Sequence, residues 1–453
     1  MTRRATTPWR LPLAVFAVFA AAAALRLAAA LPGLCAPDPE RFSRPDTPGY
    51  LNPAMEFAVA GRNGGTGRVP GFPLFASFFC DAETRQLEWR PLVVALSLLG
   101  GAAAALVFLA GACRSFGAGI AAAALYCTNL TAVANAPMLL SDTLFGVLAA
   151  LQFLLFMHFW AKRRHWCFVP MALVAGLGVL VRPINLGWIF PALALLLLTF
   201  DGKLPWRRKA AYGAAGAALF MAVVFPWMFR NRALGAGFTP DTNTGAVYHQ
   251  NGAMLLAEVN GTDFESEKRE LLRRAEEEFA DTARYPDEAA REAWRLRNYR
   301  AMVLAHPLVW LRQSCSWRIF IPDAATFWEL MGATASDRGT MGVMAKYGFF
   351  AAVRHYFGND WKLMALSVLL LIPTLVLYAC ALGRVICDIC NLRERWYELA
   401  VFLAFAEYYL VLPGAITAPR YQLPALPVLC LLAALFLLPE RGAAKNESAE
   451  AKK

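Results

Sequence analysis

The stretch LPLAVFAVFAAAAALRLAAAL, residues 11–31, decides the class of fold. A helix rising about 1.5 Å per residue needs about 20 apolar residues to cross the hydrocarbon core of a bilayer, and this run supplies them with Arg26 as its one charge. Arg3, Arg4 and Arg10 precede it, and basic residues flanking a span stay on the cytoplasmic side, so the amino terminus is placed in the cytoplasm. A cleaved signal peptide competes with this view because the alanine-rich end resembles a processing site. The run exceeds the apolar core of such a peptide, and a retained first helix is favoured. Arg26 is expected to snorkel to the interface.

The rest of the chain has the same character. Of its 453 residues 58% are hydrophobic and 17% charged, against roughly a quarter charged in soluble domains, and its mean hydropathy is +0.42. A net charge of +11 is compatible with nucleic acid in principle. Here, however, the Lys and Arg residues gather in short gaps between apolar runs, which excludes a nucleic-acid binder and marks cytoplasmic loops. Ten cysteines lie mostly inside apolar segments, as small hydrophobes, and form no disulfide framework; Cys35 and Cys80 share a loop and could pair if it faces an oxidising compartment and their geometry permits.

Further spans are expected at Pro91–Cys113, Phe116–Asn135, Pro137–Trp160, Trp166–Val181, Ile184–Phe200, Ala210–Phe229, Trp361–Leu382, Leu399–Ile416 and Tyr421–Leu438. The expected architecture is an all-α polytopic membrane protein of about ten or more helices, with a membrane domain over 1–440 and a polar cytoplasmic tail over 441–453. When the spans alternate, the basic gaps at Arg114, Lys162–Arg164, Lys203–Lys209, Arg384–Arg395 and Arg441 fall on one side. Two long polar loops, 32–90 and 230–360, fall on the other. Loops of that length are functional or disordered, not mere connectors. The segment 265–280 carries Leu271, Ala275 and Phe279 at helical spacing and predicts an amphipathic helix on the outer surface. Leu308–Ile321 is apolar but too short to span, and fits an interfacial or re-entrant piece; a further span is expected to hide there or around Met341–Val353.

This topology brings separated polar residues to one boundary. Arg44-Pro45-Asp46-Thr47-Pro48-Gly49-Tyr50 in the first loop, Asp142 in the fourth span, Arg182 between the fifth and sixth, the 230–251 stretch and Arg420-Tyr421 all reach the outer level. Asp142 is expected roughly 7 Å inside its span, where a carboxylate faces a polar cavity or pairs with a base such as Arg182 or Arg420. Arginine suits a bidentate grip on phosphate oxygens, and Arg and Tyr also serve as plain interface anchors. His249, His306 and Glu258 match no metal-ligand spacing, and Cys387-Asp388-Ile389-Cys390 is a lone CxxC without a second pair.

The order of these motifs resembles the GT-C superfamily of integral membrane glycosyltransferases, in the bacterial branch similar to protein mannosyltransferases and the aminoarabinose transferase of lipid A. The resemblance rests on Asp46 with Tyr50 and Ala54, Arg68-Val69-Pro70-Gly71-Phe72-Pro73, Ser141-Asp142 and Arg182-Pro183. It continues through Pro226-Trp227-Met228-Phe229-Arg230-Asn231, Thr242-Asn243-Thr244-Gly245, His306-Pro307 and Pro419-Arg420-Tyr421. It implies transfer of a sugar from a polyprenyl-phosphate donor to an acceptor hydroxyl of a glycan, lipid or protein on the extracytoplasmic face of a bacterial inner membrane. Asp46 would act as general base, with Asp142 orienting the acceptor or an arginine. Arg182, Arg230, Arg420 and Tyr421 would hold the donor phosphate, and Tyr50, Arg68, Asn231, Asn243 and His249 would line the substrate. The resemblance allows for a divalent metal, although Thr47 follows Asp46 where many relatives carry a second acid. A secondary transporter, or a polymerase or ligase of lipid-linked glycans, is the alternative; the first lacks support because the chain shows no internal repeat and its ionisable residues cluster at one face, not the midplane.

Overall fold

The computed structural model describes residues 9–197, 204–243, 245–333, 343, 347–358, 360–416 and 418–439. Arg3, Arg4, Phe200, Lys203, Thr244, Arg441, the 441–453 tail and the start of the Met341–Val353 segment lie outside them.

The chain runs through α1 (Arg10–Leu34), α2 (Pro48–Ala60), α3 (Gly71–Ser77) and a hairpin of β1 (Cys80–Asp81) with β2 (Gln86–Leu87). It continues with α4 (Trp89–Ala112), α5 (Phe116–Thr128), α6 (Leu130–Asn135), α7 (Asp142–Trp160), α8 (Phe168–Val181), α9 (Ile189–Leu197) and α10 (Trp206–Ala233). The second long loop holds α11 (Gly252–Asn260), α12 (Phe264–Phe279), α13 (Glu288–Ala305), α14 (Pro307–Ser314), α15 (Ala324–Met331) and α16 (Phe349–Phe357). The chain then ends in α17 (Trp361–Cys390), α18 (Leu392–Val411) and α19 (Leu426–Leu437).

This is a helical, membrane-embedded protein. Among the described residues five helices, α1, α4, α7, α10 and α17, are long and apolar enough to cross a bilayer. Several of the ten expected spans are shorter or broken. The run Phe116–Asn135 divides at Asn129, whose backbone is extended and whose side chain caps α6 by accepting from the Ala132 N–H. The run Pro137–Trp160 is helical only from Asp142. Residues 136–141 instead turn back onto the first loop, where the Leu139 N–H donates to the Phe42 carbonyl and the Leu139 carbonyl accepts from Thr47 Oγ1. Asp142 therefore stands in the first turn of α7 instead of a turn deeper, where the helix dipole favours a negative charge. The run Ile184–Phe200 begins as a 3-10 turn, Pro183–Trp188, and Tyr421–Leu438 reduces to a 3-10 turn, Pro419–Gln422, followed by the short α19.

Close helix approach builds the centre. α4 packs on α1, α5 and α7; α8 joins α7 to α10; and α19, buried along most of its length, is wedged between α5 and α17. Small residues permit this: a Cβ on Gly101 would lie 2.9 Å from the Ala23 Cβ and 3.0 Å from the Phe19 carbonyl oxygen of α1. Arg26 does not snorkel. It is fully buried, its Nη1 donates to the Ala22 carbonyl at 3.0 Å, its guanidinium lies 5.6 Å from the Tyr126 ring, and its stem occupies the space left by Gly100.

The first loop folds instead of merely turning. Pro48 sits at the start of α2 and Gly61 ends it with a φ of 66°, a conformation that costs glycine nothing. Tyr50 and Ala54, one helical turn apart, face inward, and the Tyr50 ring meets the edge of Phe72 from α3 at 5.4 Å. In the second loop α12 buries Leu271 and Ala275, the expected apolar stripe, beneath α11 and the π turn Val247–Asn251. Leu308–Ile321 forms α14 and a 3-10 turn, Trp317–Phe320. Cys35 and Cys80 are both free thiols.

Candidate active site

Asp46 is presented by a tight turn. The Thr47 N–H donates to the Arg44 carbonyl at 2.8 Å, and Thr47 Oγ1 accepts from the Arg44 N–H at 2.9 Å. Thr47 is buried and is also tied to Leu139, so its hydroxyl anchors the loop to the turn before α7. The Asp46 side chain, 45% exposed, projects from this anchored turn. Arg68 Nη2 donates to its Oδ1 at 3.1 Å and Arg420 Nη2 donates to its Oδ2 at 2.9 Å. One carboxylate is thus held between two guanidiniums, one from the first loop and one from the segment before α19.

Arg68 lies over the Tyr50 ring at 4.6 Å, an orientation that Gly49 permits, since a Cβ there would come within 3.2 Å of Arg68 Nε. From Tyr50 the polar chain continues inward. Ser141 Oγ donates to the Tyr50 hydroxyl at 3.1 Å and accepts from Arg182 Nε at 3.2 Å, while Arg182 Nη2 forms an ion pair with Asp142 Oδ1 at 2.8 Å. Arg182 and Arg420 each lie 5.7 Å from the Tyr421 ring. Asp46, Tyr50, Arg68, Asp142, Arg182, Arg420 and Tyr421 therefore form one connected cluster, supplied by the first loop, the start of α7, the end of α8 and the turn before α19.

The cluster is not saturated. Neither Asp142 oxygen accepts a well-aligned hydrogen bond beyond its ionic contact with Arg182, and Arg420 Nε is buried without a partner. Buried polar groups are ordinarily satisfied, so these atoms stand out as unspent donor and acceptor capacity.

The remaining expected residues lie elsewhere. Arg230 stacks on Trp227 at 4.2 Å and donates to the backbone carbonyls of Gly65, at 2.8 Å, and Asn63. Its donors serve the loop that carries Arg68. Asn231 is fully buried and donates to the Thr239 and Pro240 carbonyls, both at 2.9 Å, fixing the chain after α10. Asn243 and His249 line a separate cavity against α12 and α13. Sequence reasoning missed Asp241, which is buried near Arg68; burial first, then Glu292, pushes its carboxyl up to about 7 against the pull of Arg68. A signal was available, because Pro240-Asp241-Thr242 repeats the Pro45-Asp46-Thr47 tripeptide. The second tripeptide is tied to the segment that carries Arg68: the Thr242 N–H donates to the Thr66 carbonyl at 3.0 Å, and the hydroxyls of Thr66 and Thr242 lie 3.3 Å apart.

The donor set does not fit a divalent cation. Both Asp46 oxygens face guanidiniums, Asp142 faces a third, and among the described residues no three His, Cys, Asp or Glu side chains come together. No protein-family model matches the chain, and no curated protein matches it.

Proposed function

We propose that the protein is a membrane glycosyltransferase that moves a sugar from a polyprenyl-phosphate donor to an acceptor hydroxyl, with Asp46 as the general base. The observation that carries this proposal is the arginine arrangement: Arg68 and Arg420 grip Asp46, Arg182 grips Asp142, and Arg420 Nε and the Asp142 oxygens still have unused bonding capacity. Guanidiniums complement phosphate oxygens, and fixed donors of this kind stabilise the negative charge that grows on a phosphate leaving group. The five long apolar helices fit a protein whose donor carries a lipid tail.

In this arrangement the two arginines orient Asp46. A base needs a free lone pair within hydrogen-bond reach of the proton it takes; each Asp46 oxygen accepts one bond from a guanidinium and keeps a second lone pair, and the side chain is 45% exposed. The acceptor hydroxyl donates to one of these oxygens. The hydroxyl oxygen attacks the anomeric carbon as its proton passes to Asp46, and the bond to the phosphate breaks with the electron pair leaving on the phosphate. Asp142 keeps Arg182 in place and is a positioning residue.

The test supplies wild-type protein in proteoliposomes with a radiolabelled polyprenyl-phosphate sugar. Label appearing on an acceptor supports the proposal. Solute movement across the bilayer without label transfer overturns it in favour of transport.

A further inference from the structure

A cavity of about 290 Å³ lies outside the Asp46 cluster, between residues 242–243 and 245–249, α12 and α13. Its wall combines the rings of Tyr248 and Phe279 with Asn243, His249, Glu292 and Arg295. The two rings are fixed by Trp294, which meets each at 5.3 Å. Arg295 is set over Phe279 at 4.9 Å while its Nη1 bonds Glu288 and Glu292 at 2.7 and 2.5 Å. Gly245 closes one side so tightly that a Cβ would meet Glu292 Oε1 at 2.7 Å. The wall is therefore pre-formed.

We propose that this cavity is a carbohydrate subsite that holds a sugar ring of the acceptor, an inference that rests on the glycosyl-transfer function proposed above. A sugar ring presents hydroxyls that both donate and accept, together with an apolar C–H face. The wall matches both demands: Asn243 does both, Glu292 accepts, Arg295 donates, and Phe279 with Leu272 supplies apolar surface. His249 is held below its usual value, first by burial and then by Lys268 and Arg295, against a hydrogen bond to the Gly245 backbone; with its N–H spent there, the neutral imidazole offers one acceptor. Two carboxylates, Glu276 and Glu292, line the cavity with one cation, Arg295, which is already paired with Glu292 at 2.5 Å, and this disfavours an anionic occupant such as a lipid phosphate. The size sits at the lower end of small-molecule pockets, ~300–1,000 Å³, and suits a single ring.

Position supports the acceptor over the donor. α12 and α13 carry dense mixed charge and no long apolar face, so the cavity is approached from water. Thr242, which lines it, is bonded to Thr66, two residues before Arg68. An occupant is thus one short segment away from the pair that orients Asp46.

Hydrogen–deuterium exchange on the full chain in nanodiscs tests this, with methyl glycosides of mannose, galactose and N-acetylglucosamine as probes. At a probe concentration equal to its Kd, exchange over 242–249 and 272–295 is expected to slow about twofold, in the wild type and equally in Asp46→Asn. Ala275→Phe, which fills the cavity, should abolish that protection, and so should Glu292→Gln, which keeps the volume; both are first checked for wild-type thermal unfolding. No protection by any glycoside, or protection that survives in both cavity variants, overturns the subsite. Protection by a serine-rich peptide or by polyprenyl phosphate, but not by glycosides, overturns it as well. Glycoside protection in a protein that transfers no sugar refutes the proposed reaction and leaves the cavity assignment standing, whereas transfer without protection does the reverse.

Discussion

Replacing Asp142 with asparagine keeps the shape of the side chain and deletes one charge from the ion pair with Arg182. The carboxylate is 2% exposed and the guanidinium 19%, with Nη2 and Oδ1 at 2.8 Å. Breaking a buried pair by removing one partner costs about 3–5 kcal/mol, because the other charge is left uncompensated. Arg182 retains its bond to Ser141 Oγ and the nearby Tyr421 ring, so the lower end, about 3 kcal/mol, is expected. The assay is a double-mutant cycle of Asp142→Asn and Arg182→Gln, read from reversible unfolding in mixed micelles. Because the double variant leaves neither charge unpaired, a coupling of roughly 1–3 kcal/mol is expected. Additivity within about 0.5 kcal/mol would refute the pair as a unit. The electrostatic account of the cluster would fall with it.

Three further outcomes follow from the same geometry. Asp241 is raised from 3.8 to about 7, chiefly by burial, so the folded protein binds a proton that the unfolded chain has lost. Stability should therefore decline as pH rises from about 4 to about 7 and level off above it, by up to about 4 kcal/mol, and Asp241→Asn should flatten the profile of unfolding midpoint against pH. An unchanged profile in the variant would assign the dependence to another group. Gly100→Ala drives a Cβ to within 2.6 Å of Arg26 Cδ and should lower stability by about 1–3 kcal/mol, with Arg26→Met restoring it; thermal unfolding with and without the second substitution decides. Arg230→Gln releases Asn63 and Gly65, and should raise proteolysis and hydrogen exchange across 61–68 while leaving α12 unchanged; equal protection in both proteins would show that the contact does not hold the loop.

Hydropathy made the membrane class legible, because apolar length is a local property: α1, α4, α10 and α17 fall where the runs predict. Breaks within spans depend on remote partners. Residues 136–141 leave the helix because Phe42 and Thr47, far away in sequence, take up the backbone of Leu139. The meeting of Asp46, Asp142, Arg182 and Arg420 was legible as a shared level, and pairing of Asp142 with Arg182 as one of two options. That Arg68 and Arg420 would divide the two oxygens of Asp46 was not, since ion-pair choice is set by side-chain positions a few ångströms apart. Arg26 illustrates the same limit. An arginine in an apolar helix predicts snorkelling, and the opposite fate depends on Gly100 of a neighbouring helix leaving a slot for its stem. Asp241 was visible only through a repeated tripeptide, because its environment is built by the fold.

The central claim is that Asp46 takes the acceptor's proton. Purified Asp46→Asn, inserted into proteoliposomes at wild-type abundance and with a wild-type unfolding midpoint, is assayed for transfer of radiolabelled sugar from a polyprenyl-phosphate donor. General-base catalysis contributes about 10²–10⁴-fold, so a loss of that size in kcat, with the donor KM changed little, is predicted; transfer at the wild-type rate would contradict it.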